Sequence, residues 1–139
     1  MSAWEPYLDS IKNNCQNSNL QAIGIIGENG AVWADRNSGM TPAEAAILYK
    51  AAENDDKALF GTGFTVGGQK FACTKVDGDE GTIFGKGKEG NKFGTGFIAV
   101  NRIKGAILFA IGDKDASAGN VSCGVYNIAS YLRNNGYEI

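Results

Sequence analysis

The chain has no histidine, only two prolines and only three cysteines among 139 residues. Each scarcity removes a class of function. Serine and cysteine nucleophiles usually rely on a neighbouring base, most often histidine. Histidine-containing metal sites are excluded with it, and the carboxylates show no metal-loop spacing. No metal and no cofactor is therefore expected. Cys15, Cys73 and Cys123 are widely spaced, odd in number and form no CxxC pair, which predicts reduced thiols in a reducing compartment. The longest strongly apolar run, AILFAIG at 106–112, falls well short of the ~20 residues that cross a bilayer. The opening MSAWEPYLDS lacks the basic-then-apolar pattern of a signal peptide. A cytoplasmic location is expected.

What remains is 43% apolar and 20% charged, the balance of a folded soluble domain. A single domain over 1–139 can bury a full core without disulfide or metal staples. The net charge of −2 exerts no global pull toward nucleic acid. Its distribution is uneven: residues 1–69 carry 4 basic and 8 acidic side chains, whereas 70–104 carry 7 basic and 4 acidic. A modest basic region thus lies on an acidic protein.

Periodicity supplies the elements. Trp4, Tyr7, Leu8, Ile11 and Cys15 recur on one face of a helix, which Asn17-Ser18-Asn19 ends. LQAIGIIG (20–27) reads as a buried strand, and Asn29-Gly30 as a two-residue hairpin leading into AVWAD (31–35). Thr41, Pro42 and Glu44 form the start signal of a second helix. After Asp55-Asp56 a short turn or helix precedes Gly61. Strands follow at 63–66, 69–76, 82–88, 96–102 and 106–112, with Gly67-Gly68 as a tight turn. Val121, Val125, Ile128 and Leu132 give the stripe of a last helix, stopped by Asn135-Gly136. The fold class is α/β of the α+β type, built on a central antiparallel sheet of six or seven strands.

One motif misleads. Gly85-Lys86-Gly87-Lys88-Glu89-Gly90 is literally GxGxxG, but a dinucleotide site needs that loop to open a helix, and NKFGTG has no helical pattern. A glycine-rich strand end is the better reading, and an enzyme is not expected.

The aromatics point instead to binding. Trp4 and Tyr7 open the chain, Trp33 follows early, and Tyr131 and Tyr137 close it. Each taken alone suits a core position. Tyr131, however, lies about 280° from Val121 on the helix wheel, at the edge of the stripe. Tyr137 lies beyond the helix stop. If the terminal helices pack side by side, these rings meet in one patch. Such a platform suits proline-rich peptides, whose polyproline II form loses little entropy on docking. Tyr126, about 140° from the stripe, suggests a second contact surface. Lys86 and Lys88 share a strand face and, with Lys70 and Lys75, form a basic row suited to an acidic protein or an anionic lipid head group.

These residues resemble the profilin family. WEPYLD at the N-terminus, Ala31-Val32-Trp33-Ala34, Gly67-Gly68-Gln69-Lys70 and Ala129-Ser130-Tyr131-Leu132-Arg133 match its pattern in order along the whole chain. The resemblance implies terminal helices together on one sheet face and smaller helices on the other. It implies binding of monomeric actin, acceleration of its nucleotide exchange, control of filament assembly at the cytoskeleton, and proline-rich and phosphoinositide ligands, in a monomeric protein. By position, Trp4, Tyr7, Trp33, Tyr131, Leu132 and Tyr137 would line the proline-peptide groove. Lys70, Cys73, Lys75, Lys86, Lys88, Gly119 and Tyr126 would fall on the actin surface, with Lys75, Lys86 and Lys88 as lipid contacts. Tyr131 stands where many animal members have His, and Ser122-Cys123 where vertebrate members are often polar or basic. Glu138-Ile139 runs past the usual aromatic end. The alternative is a small-molecule sensor or adaptor of similar outline, with Trp33 and the terminal aromatics around an internal pocket.

Overall fold

A computed structural model describes residues 3–16 and 18–138. Helix α1 (Glu5–Asn14) is followed by strands β1 (Leu20–Gly27) and β2 (Val32–Arg36), then helices α2 (Pro42–Asn54) and α3 (Leu59–Thr62). Strands β3 (Phe64–Val66), β4 (Gln69–Asp77), β5 (Thr82–Gly87), β6 (Phe97–Ile103) and β7 (Ala106–Gly112) come next, and helix α4 (Ala118–Arg133) closes the chain. Among the described residues the strands form one seven-stranded sheet in the order β2-β1-β7-β6-β5-β4-β3, with every neighbouring pair antiparallel. Asn17, part of the expected helix stop, and Ile139, beyond the aromatic tail, lie outside the described residues, as do Met1 and Ser2.

The sheet needs cover on both faces, and the helices divide as expected. Leu8 and Ile11 of α1 join Val121, Val125, Ala129 and Leu132 of α4 over Ile23, Ile25, Ala99, Ile103, Leu108 and Ala110. On the other face Ala45, Leu48 and Ala52 of α2 and Leu59 of α3 pack over Val66, Phe71, Ile83, Val100 and Phe109. Strand β7 is central, so its residues are buried on both sides in alternation. That is why AILFAIG is a continuous apolar run and not an alternating one.

α1 and α4 lie close because α4 carries a glycine where they touch. A Cβ at Gly124 would collide with Cys15 Sγ and approach the Cys15 backbone nitrogen to 2.8 Å. The helix start predicted at Thr41 forms a complete capping box: the Thr41 hydroxyl accepts from Glu44 N–H, and Glu44 accepts from Thr41 N–H. Glu44 also accepts from Thr65 Oγ1 and from the amides of Gly67 and Gly68. One carboxylate thereby ties α2 to the β3–β4 turn. Burial pushes its pKa up, but these donors outweigh burial and hold it below the ordinary value.

Two local expectations change, and a third holds. The β1–β2 connection is a three-residue loop: Gly30 donates to Gly27 O, Gly27 donates to Ala31 O, and only Gly30 takes a positive φ (86°). A type I turn followed by a left-handed glycine suits that length, so Asn29 never needs the left-handed region. The short helix α3 runs through Gly61 instead of ending before it. Around the GxGxxG sequence no helix follows: Gly85 and Gly87 belong to β5 and Gly90 to a turn. Gly85 is required by packing, since a Cβ there would sit 2.7 Å from the Phe64 ring.

Candidate functional site

Two surfaces emerge, both resting on α4. The first gathers the aromatic residues of the chain ends. Glu5 and Asp9 share a face of α1 at i, i+4 spacing. Both accept from Arg36 at the end of β2, from Nε and Nη1 respectively, each at 2.8 Å. This clamp holds the start of α1 against β2, which brings Trp4 to Trp33. Their ring centroids are 4.7 Å apart. Tyr7 lies 5.2 Å from Trp4. Tyr137 meets Trp4 edge-on at 5.3 Å and Trp33 at 6.2 Å. All four are half-buried: their inner edges pack on the core and their outer edges face solvent. The tail that carries Tyr137 does not fray. Its N–H donates to Leu132 O, and its carbonyl accepts from Lys104 N–H in the β6–β7 turn.

Two residues expected in this groove are placed differently. Leu132 is only 1% exposed and belongs to the core on the α4 side. It supports the tail through its carbonyl, and its side chain is not a groove wall, because it continues the α4 stripe inward. Tyr131 is 54% exposed and makes no ring contact with the other four. It is exposed on α4 at the edge of the apolar stripe, as the helix wheel predicts.

The second surface is the part of the same sheet face that α4 leaves open. α1 packs on β1 and β2, and α4 packs on β6 and β7. Strands β4 and β5 extend past it. Lys70 and Lys75 are five residues apart, a spacing that puts them on opposite faces of a regular strand. A bulge between Cys73 and Lys75 changes this: Ala72 pairs with Lys86, Cys73 with Gly85 and Lys75 with Phe84. The extra residue turns Lys75 to the face of Lys86. Lys70, Lys75, Lys86 and Lys88 are all exposed, and none makes an ion pair among the described residues. Lys75 Nζ sits over the Phe84 ring at 5.2 Å, and Phe84 meets Phe97 at 5.0 Å.

Tyr126 is 41% exposed beside this row, and its hydroxyl donates to Glu80 Oε2 at 3.1 Å. Gly119 is exposed near the start of α4. Cys73 is the exception among the residues expected here. It is 8% exposed and joins the core under α2, since it alternates with Ala72 and points to the opposite face. Phe84 and Phe97 are the additions. Phe84 stands two residues from Lys86, and Phe97 pairs with Lys86 across the ladder, so strand alternation could have found the first of them. A pocket of about 250 Å³, lined by Lys75, Glu80, Thr82, Phe84, Asn101, Ser122, Cys123 and Tyr126, opens between this face and α4. A larger one, about 440 Å³, lies against α2 and α3 at the β3 edge, with Lys70 and Lys88 in its lining.

Cys15 is buried and its pKa is pushed up to about 11, by desolvation first and by the neighbouring Cys123 second. Cys123 is exposed. Among the described residues no cluster of cysteine and carboxylate side chains could hold a metal, and no helix is long and apolar enough to cross a membrane.

Comparison with known proteins agrees with this geometry. The profilin family model matches residues 2–137. Profilin-1 of Entamoeba histolytica is 34% identical, over 97% of this chain and 99% of its own. Mouse profilin IIa, solved in complex with a double repeat from the FH1 domain of mDia1, superposes with a TM-score of 0.81 at 25% identity, covering 98% of this chain and all of the other. A complex of LokiProfilin2 with rabbit actin shares the fold at a TM-score of 0.65 and 22% identity, covering 96% and 98% of the two chains.

Proposed function

The chain belongs to the profilin family, and on that premise we propose that it binds monomeric actin, promotes its nucleotide exchange and regulates filament assembly, while holding proline-rich partners on its aromatic platform. The observation that carries this reading is the convergence of Trp4, Tyr7, Trp33 and Tyr137 at the meeting point of the two chain ends. Four rings with exposed edges offer a ridged apolar surface to a polyproline II helix. The phenol O–H groups of Tyr7 and Tyr137 can donate to the carbonyls that such a helix leaves free.

The open face of β4 and β5 beside α4 is the proposed actin surface, with Lys75, Lys86, Phe84, Phe97 and Tyr126 at its centre and Lys70, Lys88 and Gly119 around it. Unpaired lysines flanking half-buried aromatics match an interface with an apolar middle and a steering rim. Lys75, Lys86 and Lys88 are the proposed contacts for phosphoinositide head groups. The protein then works by binding and not by chemistry, at the cytoskeleton of the cytoplasm. The sensor alternative needs the aromatics around an enclosed space, whereas here they pack against one another at the surface.

The test is a titration of tryptophan fluorescence with a proline decamer, paired with a pyrene-actin assay. Saturable change in the first and sequestration or altered elongation in the second are expected. No fluorescence change at millimolar peptide would remove the platform reading, and unaltered polymerisation at equimolar protein would remove the actin reading.

A further inference from the structure

Strand β3 forms one edge of the sheet, and the larger of the two pockets opens beside it. The pairing of the β3–β4 hairpin decides what faces that edge. Val66 and Gln69 flank the Gly67-Gly68 turn, so Thr65 and Lys70 form the next, non-hydrogen-bonded pair. Lys70 turns its carbonyl to the β5 side, where it accepts from Lys88 N–H. The main-chain N–H and C=O of Thr65 therefore point out of the sheet edge, and Thr65 is part of the pocket wall.

The pocket's volume of about 440 Å³ lies within the range of small-molecule sites. Its floor is apolar. Phe64 and Phe71 stack there, with centroids 5.6 Å apart and planes within 7° of parallel. Ile47 of α2 adds an apolar wall that is 54% exposed. Lys70 and Lys88 line the same pocket, both exposed and neither in an ion pair among the described residues. The one carboxylate of the lining, Glu44, is already saturated. Its Oε1 accepts from the amides of Thr41 and Gly67, and its Oε2 from Thr65 Oγ1 and the Gly68 amide. Two unpaired ammoniums against one committed carboxylate leave the wall with a net charge of +1.

We infer that this pocket binds a small amphipathic monocarboxylate. Its apolar body lies between Ile47 and the Phe64 side of the floor, and its carboxylate accepts from the Lys70 and Lys88 ammoniums. The outward N–H of Thr65 is a further donor in the same wall. A single negative charge matches the net charge of the lining, whereas a polyanionic head group would bring surplus charge against Glu44. The site sits at the β3 edge, the opposite end of the sheet from the β2 strand that carries Trp33. It rests on neither the peptide reading nor the actin reading.

The probe is decanoate, kept below its micellar range. It is titrated by calorimetry into the wild type, Ile47→Glu and the double variant Lys70→Ala/Lys88→Ala, with amide shifts followed by NMR. All three positions are exposed, and the thermal midpoint reports that each variant is folded. Saturable binding at one site is expected, with shifts centred on the amides of Thr62, Gly63 and Thr65. Each variant is expected to weaken decanoate about tenfold. Decyltrimethylammonium has the same chain with the opposite charge, and acetate has the head group without the chain. Both are expected to bind at least about tenfold more weakly than decanoate. No saturation at millimolar decanoate overturns the inference, as does wild-type affinity in both folded variants. Shifts centred on Trp4 and Trp33 overturn it too, because the chain is then coating the aromatic platform. Equal binding of decyltrimethylammonium would show apolar adsorption only, and tighter binding of inositol trisphosphate than of decanoate would give the lysines to a polyanion; either result overturns it. If one variant loses its unfolding transition, the other decides.

Discussion

The Trp4 indole meets the Trp33 indole at 4.7 Å between ring centroids, tilted by 32°. One ring comes from the start of α1 and the other from the middle of β2. The contact exists because Arg36, three residues beyond Trp33, holds both acidic groups of the first two turns of α1. These ion pairs are partly exposed to solvent, which screens them, and contribute little energy. Their role is positional.

Trp4 touches Trp33, Tyr7 and Tyr137, so it is the hub of the platform. Trp4→Ala is expected to lower affinity for a proline decamer at least thirtyfold, the scale of a central aromatic hot spot of ~2 kcal/mol or more. Actin binding should stay within twofold. Fluorescence of the remaining Trp33 and a pyrene-actin assay read the two arms.

Lys86 is exposed on the opposite side of α4 from the platform, and its charge is unpaired among the described residues. Lys86→Glu is expected to weaken actin about tenfold, with a slower association rate and a flatter salt dependence, while decamer affinity is retained. Equal damage to both activities would mean that the two surfaces are not separate.

Gly124 leaves room for Cys15 where α1 crosses α4. Gly124→Ala gains helix propensity of ~1 kcal/mol yet forces the helices apart. A net destabilisation of about 1–3 kcal/mol in urea unfolding is expected, with decamer affinity falling along with it because the same separation moves Trp4 from Tyr137.

Glu44 gives the acid limb of stability a specific origin. Its folded pKa lies below the ordinary carboxylate value, so its contribution is complete above that value and is lost as pH falls through the folded one. Glu44→Gln is expected to cost about 1–3 kcal/mol at neutral pH and to flatten the decline of stability below about pH 4.5, as read by urea unfolding over a pH series.

The thiols should divide sharply. Cys123 is exposed, whereas Cys15 and Cys73 are buried, and Cys15 is held up to about 11. Ellman's reagent at about pH 8 is expected to titrate one fast thiol in the native protein and all three after unfolding. Two fast thiols would show that α1 opens from α4 on that timescale.

Much of this was legible in the residues because local rules and tertiary demands agreed. The α4 stripe, the Thr41–Glu44 box and the Gly67-Gly68 turn each follow from backbone geometry alone, and the turn shows both glycines at positive φ. The aromatic convergence was legible only as a condition, that the terminal helices pack side by side, since helix periodicity places Trp4 and Tyr7 on a core-facing side without saying what meets them. The bulge after Cys73 left no mark, because nothing in ACTKV distinguishes the extra residue. Arg36 was silent for the same kind of reason: its two partners sit on an element whose docking angle the chain does not state. Leu132 and Cys73 were misplaced by carrying a binding role onto side chains whose own alternation pointed inward.

The anchoring of the C-terminal tail has a consequence for the order in which the molecule comes apart. Tyr137 is held by two backbone hydrogen bonds, to Leu132 and from Lys104, while β7 lies between two layers of core. Amides of the tail should exchange with solvent deuterium through small openings, and those of β7 only through global unfolding. Mild denaturant is therefore expected to release Tyr137 from Trp4 and Trp33 while β7 and the core on both its faces stay folded.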